Sequence, residues 1–136
     1  MTDGTMTVED VIDQPIRDLA RALKPAQRSM HASWRQSNLY YQHVDELAAA
    51  APDQAVPFIT AAKLAGINIH LGRALDAVRS SPHQQDSIDQ VTHNLVDILL
   101  GVLDLAEYLD ADLGQQLTEQ LDTAMRGFTA RQPKRF

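Results

Sequence analysis

The sequence contains no cysteine, which excludes a disulfide staple, a thiolate metal site and a cysteine nucleophile. Any metal would have to be held by the five histidines or the eighteen carboxylates. Aromatic residues make up only 5% of the chain, glycine and proline number six each, and no window shows the alternation of β-branched and aromatic residues that marks a strand. The Gly-x-Ser-x-Gly elbow, the Gly-rich phosphate loop and the dinucleotide fingerprint are all absent, so hydrolase and kinase readings built on them fall away. Charge interrupts the apolar stretches, and the acidic N-terminus lacks the basic segment and apolar run of a signal peptide. The expectation is a soluble, cytoplasmic protein with no membrane partner.

What is present is a chain of 136 residues, 44% hydrophobic and 22% charged, which fits one folded domain and neither disorder nor a fibrous repeat. The net charge of −6 is uneven. Residues 1–79 carry eight bases and nine acids, residues 80–128 one base and nine acids, and residues 129–136 three bases. So acidic a later segment repels phosphate backbones, which argues against a nucleic-acid partner. The short basic tail reads as a solvated terminus.

Helical periodicity dominates. From about Ser87 to Tyr108, Ile88, Val91, Leu95, Ile98, Val102, Leu105 and Leu109 recur every three or four residues, which predicts an amphipathic helix, with Ser87 and Gln90 as a capping box. Asp112 and Gln115 repeat that signal before a last helix carrying Leu113, Leu117, Leu121, Met125 and Phe128, ended by Gly127 and the Pro133 region. Ile59, Leu64, Ile67, Leu71, Leu75 and Val78 mark a third helix, entered near Pro57 and left at Ser80-Ser81-Pro82-His83. Leu39 to Ala51 is a fourth, while Thr7 to Trp34 reads as one or two shorter helices punctuated by Pro15 and Pro25. The expected fold is all-α: N-terminal helices over residues 1–56, a helical core with an antiparallel hairpin over 57–128, and a basic tail over 129–136.

One polar row stands out beside the apolar stripe of the central helix. Asn94, Asp97, Gly101, Asp104 and Tyr108 follow spacings of three and four and so face one direction. Turned inward, Asp97 needs a cation or a basic side chain; turned outward, it is an ordinary solvated edge. On the preceding helix, His70 and Arg73 are placed to meet Asp97 across a hairpin, and His93 precedes Asp97 by one turn. The paired Glu-x-x-His units of a di-iron bundle are absent.

Residues 57–133 resemble the all-α nucleoside triphosphate pyrophosphohydrolases, the MazG-like family. Where that family has Lys-Leu-x-Glu-Glu-x-Gly-Glu-Leu, this chain reads Lys63-Leu64-Ala65-Gly66-Ile67-Asn68-Ile69-His70-Leu71. Where the next family helix has Glu-Glu-Leu-Gly-Asp-Val-Leu, it reads His93-Asn94-Leu95-Val96-Asp97-Ile98-Leu99, and Leu109 to Leu113 follows where the family has a Gly-Ile-Asp-Leu turn. The resemblance implies a dimeric helical bundle and a magnesium site formed by Glu-x-x-Glu and Glu-x-x-Asp, positions that map to Ile67, His70, Asn94 and Asp97. Only Asp97 is an acid. The resemblance also places nucleotide contacts at Lys63, Gln120 and Arg126, with Gln120 and Ala124 standing where the family has Lys and Asn. The expectation is a catalytically impaired nucleotide- or protein-binding module that forms a homodimer. Two alternatives stand beside it: an active pyrophosphohydrolase in which His70, Asn94 and Asp97 hold magnesium or manganese, and a purely structural assembly domain. No catalytic residue is assigned.

Overall fold

The computed structural model describes residues 8–37, 40–80 and 83–131. They form helices α1 (Val8–Ser37), α2 (Tyr40–Ala50), α3 (Pro52–Ser80), α4 (Gln84–Tyr108) and α5 (Leu113–Arg131), with no strand among the described residues. Leu39, the Ser81-Pro82 turn, Pro133 and the tail bases Lys134 and Arg135 lie outside them, as do the side chains of Met125, Phe128 and Arg131.

Proline misleads a sequence reading at three places. Pro15 and Pro25 do not punctuate shorter helices; both lie inside the continuous, strongly amphipathic α1. Each forfeits one backbone donor, and the helix continues because its apolar face remains in register across both. In α3 the chain turns helical at Pro52, and Pro57 is internal. Proline suits the first helical position, where its missing N–H is an orphan anyway, and the Gln54 and Ala55 amides close the first turn on the Ala51 carbonyl.

The ends of α4 and α5 show which caps operate. Ser87 does not open α4: its amide already donates to the His83 carbonyl, and His83, in extended backbone, is the N-cap without a side-chain cap bond. At the other end, the Ala111 amide donates to Ala106 O and the Asp110 amide to Glu107 O. That is a Schellman closure, with Asp110 at φ 54° where glycine is the usual choice. The Gln115 amide then donates to Asp112 Oδ1 at 3.0 Å, so Asp112 caps α5 as expected. Gly127 does not end α5, which runs to Arg131.

The chain divides into two compact units, one of Met1–Ala26 with Asp112–Phe136 and the other of Gln27–Ala111. In the first, Arg17 pairs with Asp122, and α5 approaches α1 so closely that a Cβ on Gly114 would lie 2.1 Å from the Ala20 carbonyl oxygen. Only glycine fits there without moving backbone. Gly114→Ala is expected to destabilise the protein by about 1–3 kcal/mol, as overpacking does, and urea unfolding of the variant beside the parent checks it.

In the second unit a small apolar core of Val44, Ala55 and Ile59 is closed by Trp34, Leu47 and Tyr108. The Arg35 guanidinium pairs with Asp45 at 2.8 Å to hold the end of α1 against α2. From this base α3 and α4 continue as an antiparallel hairpin. Lys63 stands opposite Asp104 and His70 opposite Asp97, so the register is constant along the seam.

The seam inverts the simple expectation from periodicity. The polar row, not the apolar stripe, faces the neighbouring helix: Asn94 and Asp104 are buried, and Gly101 packs on Ile67. Leu64, Leu71, Leu75 and Val78 of α3 stay about half exposed or more, as do Ile88, Leu95 and Leu99 of α4. Small residues such as Ala74 and Ala77 let the two backbones close on the polar side. By length and composition, α3 is also apolar enough to cross a membrane.

Candidate functional site

Two groups of polar side chains occupy the seam. Near the base, Asp104 is only 1% exposed and Lys63 only 7%. Lys63 Nζ donates to Asp104 Oδ2 at 2.5 Å, and His31 Nδ1 lies 3.0 Å from Asp104 Oδ1, where an ionised carboxylate can only accept. Gln27, fully buried one turn before His31, donates from Nε2 to the Ala111 carbonyl at 2.7 Å and faces Glu107 Oε2 at 3.4 Å. The Lys63 ammonium also sits 5.6 Å from the Tyr108 ring centroid, within cation–π range. Burial pushes the Tyr108 phenol above its ordinary value of 10.0. Desolvating charge in this way is costly unless every partner is present, so the group acts as a lock joining α1, α3 and α4.

Sequence reasoning singled out Lys63 as a nucleotide contact and did not find this lock. Its ammonium is spent on Asp104. The available signal was the pair Gln27 and His31, four residues apart on α1, which requires polar partners on whatever element that face meets.

Farther along the hairpin, three of the expected site residues come together. His70 Nδ1 lies 3.6 Å and His93 Nε2 3.4 Å from the same oxygen, Asp97 Oδ2. His70 Nδ1 is buried without a hydrogen-bond partner. Asp97 is therefore neither fully inward nor solvated, but half-buried between two imidazoles. Asn94 turns its amide back to its own helix, donating to the Gln90 carbonyl at 2.9 Å. Ile67 lies in the same seam, against Gly101.

Of these residues His93, Asn94 and Asp97 border an open cleft of about 520 Å³ between α3 and α4, lined also by Arg73, Asp76 and Asp89, whereas His70 and Ile67 lie in the seam outside its lining. Magnesium needs several hard oxygen donors, and Asp97 is the sole carboxylate among the four mapped positions. Among the described residues no group of three or more His, Asp or Glu side chains is placed to hold a metal ion. The residues present do not fit the magnesium that the resemblance implies.

Gln120 lies elsewhere, on α5, in a shallow groove with Gln116, Glu119, Thr123 and Ala124. Arg126 is exposed on the same helix. Both belong to the first unit, whereas Lys63 and the cleft belong to the second. Comparison of the chain with protein-family models, with curated proteins and with solved structures finds no match.

Proposed function

We infer that the protein is a MazG-like helical module of the cytoplasm that has lost its metal chemistry and works as a homodimer binding a nucleotide or a protein. The observation that carries this reading is what meets at the four mapped positions: a packed isoleucine, a histidine, an asparagine bonded to its own helix, and one aspartate between two imidazoles. The four mapped positions together offer a single carboxylate, which does not suit the clamping of a divalent cation against a triphosphate. Two further features support the likeness. The hairpin sets His70 at the end of the first stretch opposite Asp97 of the second, and Asp110 adopts positive φ where the family's turn begins with glycine.

The test is pyrophosphate release from each common nucleoside triphosphate, with magnesium and separately with manganese, which accepts imidazole and amide ligands more readily. No release above background is expected. Steady turnover that Asp97→Asn abolishes would overturn this reading in favour of an active enzyme with altered ligands.

A further inference from the structure

The cleft between α3 and α4 carries more acid than base. Arg73 and Asp76 line it from α3, and Asp89, His93, Asn94 and Asp97 from α4. With His93 neutral, three carboxylates stand against one guanidinium. Such a field repels a triphosphate and draws a cation. The acids do not converge on a point, since among the described residues no three His, Asp or Glu side chains are placed to hold a metal ion. They are strung along the cleft and suit a ligand that is itself long.

The hairpin register gives their order. His70 stands opposite Asp97 and Lys63 opposite Asp104, so one step forward on α3 is one step back on α4. Arg73 therefore lies at the level of Asn94, and Asp76 at that of Val91. Asp97 marks one end of the row and Asp89 the other, about 12 Å apart at the helical rise. Both ends can still accept: the two imidazoles face only Asp97 Oδ2, and Asp89 receives only the Gln85 amide, on Oδ1. Between the ends stands Arg73, whose guanidinium has no partner among the described residues.

Asn94 supplies an independent sign of a ligand. The residue is only 8% exposed, and its Nδ2 is spent on the Gln90 carbonyl. Its Oδ1 has no donor among the described residues, yet it is not sealed off, and Asn94 lines the cleft. An amide oxygen held in this way calls for an N–H from outside the chain.

We propose that the cleft binds an extended basic segment of a partner protein, with lysine or arginine side chains three or four residues apart at Asp97 and Asp89. An extended chain advances about 3.3 Å per residue, so that interval spans the row. A backbone N–H of the segment meets Asn94 Oδ1, and a backbone carbonyl meets Arg73. A free polyamine has no acceptor to offer Arg73 and sets ammonium groups against it, which favours the peptide. The inference rests on the binding-module reading above, choosing between its two ligands, and does not need the family likeness.

The test uses the full-length protein with two ten-residue peptides of equal composition, spermidine and ATP, followed by calorimetry and amide chemical-shift mapping. The peptide with two lysines four residues apart is expected to shift the amides around Arg73, Asp89 and Asp97 and to bind about threefold more tightly than the peptide with adjacent lysines. Asp89→Asn and Asp97→Asn are each expected to weaken that binding about three- to fivefold, the worth of one exposed ion pair. Asp53→Asn, in the first turn of α3 and away from the cleft, leaves it unchanged. Asp89 is exposed, so its variant carries the test should Asp97→Asn unfold. Equal binding of the two peptides, or binding that neither cleft substitution alters, overturns the site. Spermidine binding there as tightly as the spaced peptide overturns the choice of a protein segment, and ATP shifting the same amides overturns the choice of a cation. Absence of peptide binding together with absence of pyrophosphate release overturns this inference alone, whereas steady pyrophosphate release overturns the reading on which it rests.

Discussion

Asp104→Leu is expected to lower the free energy of unfolding by about 3–5 kcal/mol, the range found when one partner of a buried ion pair is removed. The leucine fills much of the space but strands the Lys63 ammonium, which is 7% exposed, and takes the acceptor from His31. Most of the loss therefore comes from what remains charged and buried and not from the bond itself. Adding Lys63→Met removes the stranded charge, and the double variant is expected to recover a large part of the stability. Urea unfolding of parent, single and double variants at one protein concentration makes the comparison. A single variant within about 0.5 kcal/mol of the parent, the range of ordinary surface substitutions, would mean that the lock does not hold α1, α3 and α4 together.

Much of the helical fold is legible in the residues. The spacing of Leu95, Ile98, Val102 and Leu105 marks α4, and Asp112 with Gln115 marks the start of α5, because capping and amphipathic repeat are local properties. The three prolines are not, since what tolerates a missing donor is decided by packing on the far side of the helix. The orientation of the hairpin is the larger gap. Periodicity shows that α4 has an apolar face and a polar one, yet it cannot tell which of them the same chain will cover. Here Gly101, Ala74 and Ala77 allow close approach on the polar side, and the leucine rows are left outward. The site divides in the same way: the meeting of His70 with Asp97 follows from the hairpin register, whereas the capture of Lys63 by Asp104 depends on a third helix that brings His31 and Gln27.

The second large effect is expected when the lost carboxylates are put back. Ile67→Glu, His70→Glu and Asn94→Glu in one chain would, with Asp97, set four acids in the seam. Ile67 packs on Gly101, and the new charges repel one another, so the metal-free variant is expected to lose several kcal/mol and melt well below the parent. If the four positions do correspond to a magnesium site, the folded variant alone binds the cation and regains stability, by about 2.7 kcal/mol at a metal concentration a hundredfold above the dissociation constant. The melting temperatures of parent and triple variant, each with and without magnesium and manganese, therefore test the central claim that these four seam positions correspond to a metal site emptied of its ligands. The account predicts a melting temperature that rises with metal in the triple variant and does not move in the parent; a triple variant that melts equally low with and without metal would contradict it.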